Sequence, residues 1–244
     1  MASNRSKREG TVRREDGSAV SSEVHQPSKF SVTKRRDSSV ADRGRAHVGA
    51  TTPRFARAPQ RVRIIGGRWK RTPLSVLAQA GVRPTPDRVR ETLFNWIEHL
   101  TPHLDAVRGL DLFAGTGALG FELASRGARQ VTLVESNRQL AEQLMQTQRK
   151  LAADQIDIVS GDALSIAARW PAASFEVIFA DPPFDSQLLA PAVAAAARLV
   201  TPEGLVYVES GRPVEELQLP AALRIERNGR AGHVFFCLLR AASA

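Results

Sequence analysis

The chain has 244 residues, 43% of them hydrophobic, with one cysteine and a formal net charge of +9. That allows one main folded domain with a full core, and no apolar run approaches the roughly 18 residues of a membrane span. A lone Cys237 excludes a disulfide framework or a cysteine-held metal cluster, and without an apolar signal-peptide core a cytoplasmic protein with no membrane attachment is expected.

The charge is unevenly spread. Residues 1–60 hold 13 Lys and Arg against 6 Asp and Glu, whereas residues 61–244 hold 21 against 19. Residues 1–57 are rich in Ser, Arg, Gly and Ala, with few large apolar side chains and no period. Such a segment cannot bury enough surface to offset its ordering entropy, so a disordered basic tail is expected. It reads either as an RNA-binding arm or, more blandly, as a dispensable extension or a start codon placed too far upstream. Glu9, Glu15, Asp16 and Glu23 argue against an organellar transit peptide.

Residues 58–108 read as a hairpin and a helix. Residues 61–65 alternate charged and apolar side chains, Gly66-Gly67 is a turn signal, and residues 68–71 are expected to form the returning strand. Trp69 either stacks on RNA or packs beneath the hairpin. Residues 83–86, Arg-Pro-Thr-Pro, are extended by their prolines. A helix starts near Asp87, with Val89, Leu93, Phe94, Trp96, Ile97 and Leu100 on its apolar face, and Pro102 closes it. Arg88 and Arg90 read at this level as the solvated face of that helix.

From residue 109 to 244 strand and helix alternate. Strands are expected at 110–113, 130–134, 156–159, 176–180 and 204–208. Helices are expected at 118–126, 137–152, from 163, and at 188–199. Two last strands, 223–227 and 233–239, flank the turn 228–232 and should be antiparallel. The pattern predicts an α/β fold, a mostly parallel sheet with a C-terminal antiparallel hairpin and helices on both faces.

Four of the buried runs end in an acid: Asp111, Glu135, Asp162 and Asp181. Ligands of open α/β sheets bind outside the carboxyl ends of the strands, so these carboxylates should gather along one edge. Residues 111–117, Asp-Leu-Phe-Ala-Gly-Thr-Gly, lie at a strand-to-helix turn. Gly115 and Gly117 allow a tight turn and a close approach of ligand to backbone. With Gly120 the run also satisfies G-x-G-x-x-G, which keeps a dinucleotide-dependent oxidoreductase in contention. Charge argues against it, because Asp111 would face the pyrophosphate at the helix N-terminus. S-adenosylmethionine carries an ammonium and a sulfonium and no phosphate, so the carboxylate attracts it. Phe113 belongs to the same turn. Glu135 can accept both ribose hydroxyls, and Asp162, next to Ala163, can accept from the adenine amine. Each of these acids could instead be a helix N-cap.

Asp181-Pro182-Pro183-Phe184 carries the chemistry. An exocyclic amine of a nucleobase is a poor nucleophile, because its lone pair is delocalised into the ring. The Asp181 carboxylate and the Pro182 carbonyl can accept its two hydrogens and aim the lone pair at a methyl donor. The prolines stiffen the turn, Phe184 can stack on the base, and the base must be unpaired or flipped out. No metal is called for. A proline-rich loop with an incidental aromatic is the bland alternative.

These segments, together with Arg63-Ile64-Ile65-Gly66-Gly67, Arg83-Pro84-Thr85, residues 87–91 and residues 93–95, give the chain its resemblance. From about residue 61 to 239 it resembles the bacterial 16S rRNA guanine-N2 methyltransferases of the RsmD type. The resemblance implies a Rossmann-like class I methyltransferase fold, S-adenosylmethionine as donor, and a guanine of 16S rRNA within the 30S subunit or its assembly intermediate as acceptor. It implies that Arg61, Arg63, Arg68, Lys70 and Arg71 contact rRNA phosphates, and that Pro84, Thr85 and Arg88 cover the methionine end of the cofactor. A monomer is expected. Without the resemblance guanine is not distinguished from adenine, so an adenine-N6 methyltransferase stays open, as does a non-catalytic ribosome assembly factor.

Overall fold

The computed structural model describes residues 62–76, 85–183 and 186–242. The tail, Arg61, Pro84 and Phe184 lie outside them.

The first two strands, β1 (Val62–Arg63) and β2 (Pro73–Leu74), form a small antiparallel hairpin. The returning strand is Pro73–Leu74, not residues 68–71. The reason is docking. The Arg68 amide donates to the Ser125 carbonyl at 2.7 Å, and the Trp69 amide to Ser125 Oγ at 2.9 Å. Gly66-Gly67 is therefore the point where the loop lands on the core. A Cβ at Gly67, whose φ is +71°, would lie 1.9 Å from the Ser125 carbonyl oxygen. Trp69 is buried, so its ring packs beneath the hairpin.

Helix α1 (Asp87–Leu100) lays its apolar face on the sheet. Phe94 meets Phe179 at 5.9 Å between ring centroids, and Trp96 stacks on Phe236 at 5.6 Å. The remaining order is β3 (Arg108–Asp111), α2 (Ala118–Ser125), β4 (Gln130–Glu135), α3 (Arg138–Leu151), β5 (Ile156–Ser160), α4 (Ala163–Ala167), β6 (Phe175–Ala180), α5 (Leu189–Leu199), β7 (Val200–Ser210), β8 (Leu223–Ala231) and β9 (Val234–Ala241). Short apolar runs buried on both faces make the central strands, as a parallel sheet requires.

The seven-stranded sheet runs β5-β4-β3-β6-β7-β9-β8. Strands β5 to β7 are parallel, while β9 is antiparallel to both β7 and β8. The order reverses between β3 and β6, which makes that boundary the topological switch point. Two apolar clusters fill the faces. One holds the hairpin, α1, α2 and Leu144 of α3. The other holds α4, α5 and the buried Cys237. Strand β7 starts four residues earlier than expected, with a register shift opposite β6 and Glu203 at φ +61°.

Candidate functional site

The carboxyl ends of β3 and β6 meet at the switch point. Asp111 pairs with Phe179, two residues before Asp181. Pairing continues past the strand, because the Leu112 amide donates to the Phe179 carbonyl at 3.0 Å and the Ala114 amide to the Val134 carbonyl at 2.9 Å. The Gly-rich turn is thus tied on both sides. Gly117, at φ +76°, begins α2. A Cβ there would meet the Phe121 ring at 2.5 Å and Leu144 at 2.7 Å, so this turn needs glycine.

Asp111 is only 2% exposed. It accepts from the Gly120 amide at 3.2 Å. Burial pushes its pKa up to about 7, and nearby Glu135 adds to the rise, against the pull of the Gly120 and Phe113 amides. A buried acid held that high is short of positive charge. Glu135 is also buried. Its carboxylate accepts the Gly115 amide at 2.8 Å and the Asn137 amide at 2.7 Å. Each oxygen keeps a second lone pair for a ligand hydroxyl. Asp162 caps α4, accepting from the Ser165 amide at 2.8 Å, and hydrogen bonds from the Ser165 hydroxyl and amide hold its exposed carboxyl below the usual range. Ala163 is buried behind it, and Phe113 is half-buried against the same cluster.

Asp181 follows β6 directly. It keeps part of its surface exposed, yet burial of its carboxyl pushes its pKa well above the usual range, with Glu209 and Asp111 adding to the rise. Pro182 is buried and Pro183 exposed. Beside them opens a cleft of about 570 Å³ lined by Pro182, Ser186, Leu189, Glu209 and Arg212 among others. Phe184 falls outside the described residues.

Sequence reading missed Glu209. The signal was there: Leu205-Val206-Tyr207-Val208-Glu209 is another apolar run ending in an acid, like the run before Glu135. Strand β7 pairs with β6 so that Val208 lies opposite Ala180, which places Glu209 beside Asp181. Tyr207 Oη donates to Glu209 Oε1 at 2.8 Å, and the Tyr207 hydroxyl titrates well above its usual range through burial and that neighbour.

Of the hairpin cations, Arg63, Arg68, Lys70 and Arg71 are all exposed, although Arg63 also pairs with Asp87 at 3.2 Å. Thr85 is buried just before α1, and Arg88 is exposed on its first turn. Arg90 overturns its reading as a solvated side chain, for it is fully buried. Its Nη2 donates to the Arg63 carbonyl at 2.8 Å and to Asp87 at 2.7 Å, and its Nη1 lies 3.7 Å from Glu122. The apolar spacing of α1 gave no warning, because two of the groups that receive the guanidinium, the Arg63 carbonyl and Glu122, lie outside this helix.

A parallel sheet with an acidic Gly-rich turn at its switch point and an antiparallel C-terminal pair is the Rossmann-like methyltransferase fold. The solved yhhF structure from Escherichia coli superposes with a TM-score of 0.65 at 37% identity, covering 75% of this chain and 99% of that one. Residues 62–240 match the family described as Conserved hypothetical protein 95, and the chain belongs to it. Among its relatives is Ribosomal RNA small subunit methyltransferase D of Escherichia coli K12, 38% identical over 179 residues, which span 72% of this chain and 88% of that protein. The Haemophilus influenzae protein of the same name is 39% identical over 154 residues, 61% of this chain and 78% of that one.

Proposed function

We propose that this chain methylates the exocyclic N2 amine of a guanine in 16S rRNA of the small ribosomal subunit, with S-adenosylmethionine as donor. The observation that carries the reading is the meeting of Asp111 and Asp181-Pro182 on adjacent parallel strands, beside an open cleft. The names of the relatives supply the rRNA and the small subunit.

The donor set fits the cofactor. Asp111 titrates near 7 because it is buried, with Glu135 nearby, and an ammonium or sulfonium beside it restores the ionised form. A pyrophosphate there would be repelled. When bound, S-adenosylmethionine supplies a methyl group on a positively charged sulfur. Glu135 is assigned to the ribose and Asp162, with Ala163, to the adenine. Asp181 and the Pro182 carbonyl hold the two amine hydrogens, so that the lone pair points out of the plane of the base. The nitrogen sheds one proton after transfer, and the Asp181 carboxylate stands next to it as acceptor. Phe184 is assigned to stacking on the flipped base, Arg63, Arg68, Lys70 and Arg71 to rRNA phosphates, and Thr85 and Arg88 to the cover over the cofactor's methionine end.

The test uses 30S particles that lack the modification. Incubation with the full chain and methyl-labelled S-adenosylmethionine should yield N2-methylguanosine by nucleoside mass spectrometry. N6-methyladenosine instead, or no labelled nucleoside, would refute the reading.

Affinity for S-adenosylhomocysteine, which keeps the ammonium, should depend on pH. The cation prefers ionised Asp111, and that form is depleted below its pKa of about 7. Binding therefore releases a proton in acid, and affinity should rise roughly tenfold from pH 6 to pH 8, then level off. Calorimetry in buffers of different ionisation enthalpy checks both points, and a flat profile removes Asp111 from the cation site.

A further inference from the structure

We infer that Glu209 selects the target base by accepting the N1–H of guanine while Asp181 and Pro182 hold the neighbouring amine; this rests on the proposed guanine-N2 reading. Register places Glu209 beside Asp181, since Val208 pairs with Ala180. Strand alternation then puts Asp111, Phe179, Asp181, Tyr207 and Glu209 on one face of the sheet, the face covered by α1. Glu209 is buried and at the same time lines the cleft that opens at Pro182. Its carboxylate is held by the Tyr207 hydroxyl at 2.8 Å. The packing of Tyr207 edge-on against Phe179 at 6.3 Å fixes that donor in turn.

The two carboxylates match the chemistry of one base edge. Guanine presents N1–H and the N2 amine side by side, both donors. Adenine presents an amine beside a bare N1 lone pair, which an anion repels. A carboxylate at the N1 position therefore accepts guanine and rejects adenine. Asp181 alone makes no such distinction, because it sees only an amine.

The distinguishing substrate is 2-aminopurine, which keeps the amine at position 2 but carries no hydrogen on N1. Particles of the 30S subunit are reconstituted with guanine or with 2-aminopurine at the position that the wild type methylates. A site built to receive a hydrogen-bond donor rejects an analogue lacking it strongly, so the wild type should prefer guanine by at least about a hundredfold in kcat/KM. Glu209→Gln can turn its amide to donate to the bare N1. It should lower the rate on guanine by roughly ten- to a hundredfold and narrow the gap between the two bases to a few-fold, with S-adenosylhomocysteine affinity kept. Tyr207→Phe retains the carboxylate and loses only its orienting donor. It should lose a few-fold on guanine and keep the discrimination, which separates base reading from damage to the fold. Equal rates of the wild type on both bases, or an equal loss on both in Glu209→Gln, overturns the inference alone. No methylation of guanine by the wild type overturns the functional reading and this inference with it.

Discussion

Asp181→Ala is expected to lower methyl transfer by about two to three orders of magnitude in kcat, the usual weight of one preorganised polar group in a catalytic site. Its stability should not suffer. The Asp181 carboxyl is buried next to Glu209 and Asp111, and those neighbours push its titration upward. Removing it relieves repulsion, so the melting temperature at neutral pH should hold or rise. Affinity for S-adenosylhomocysteine should change only a few-fold, since Asp181 is assigned to the amine and not to the adenosine. Loss of activity without loss of stability or cofactor binding is hard to obtain from a merely structural side chain. Turnover within tenfold of the wild type would remove Asp181 from the reaction.

The parallel part of the sheet was legible because each strand is a short apolar run bounded by turn residues, and such runs have few other uses. Strands β3 to β6 and their helices lie within two or three residues of the expected positions. Misreadings cluster where long-range contacts override local pattern. Residues 68–71 look like a strand, but Ser125, distant in sequence, captures the Arg68 and Trp69 amides and Pro73–Leu74 becomes the returning strand instead. Arg90 has the spacing of a solvated side chain, yet it is buried against Glu122 on another helix. The two strand-end acids Asp111 and Asp181 could be brought together from sequence because fold topology does that work. Glu209 carried the same signal, an acid at the end of an apolar run, without a motif to draw attention to it. For Asp162 the sequence left ligand and helix cap open, and the structure has it capping α4.

Helix α2 joins the two halves of the proposed machinery. At its start, Gly117 closes the Gly-rich turn and the Gly120 amide holds Asp111. One turn later Glu122 and Ser125 hold the hairpin that presents Arg63, Arg68, Lys70 and Arg71. On the proposed assignment, a helix between the Gly-rich turn and the cationic hairpin would fix the distance between the methyl donor and the RNA backbone.

That arrangement makes Glu122→Ala the substitution with the largest expected cost in stability. The Glu122 carboxylate is fully buried. It accepts the Ile65 amide at 2.6 Å, the Gly66 amide at 2.7 Å and Arg126 Nε at 2.8 Å, with Arg90 Nη1 at 3.7 Å. Arg126 can fall back on Glu98 at 2.8 Å and on the Phe94 ring, 5.0 Å from its guanidinium carbon. Arg90 has less to fall back on, since its Nε and Nη1 have no hydrogen-bond partner among the described residues. Removing Glu122 therefore orphans two amides and leaves the buried Arg90 with Asp87, at 2.7 Å, as its remaining acid partner. Breaking a buried pair from one side costs about 3–5 kcal/mol, which in a chain of this size lowers the melting temperature by on the order of 10 °C. Arg90→Met should restore part of that loss in the Glu122→Ala background, because it removes a buried charge that has lost one of its two acid partners. Affinity for 30S particles should fall along with stability, while S-adenosylhomocysteine should still bind once the protein is below its new melting point. A melting temperature within 2 °C of the wild type, or strictly additive effects of the two substitutions, would mean that the hairpin is held by its apolar contacts alone.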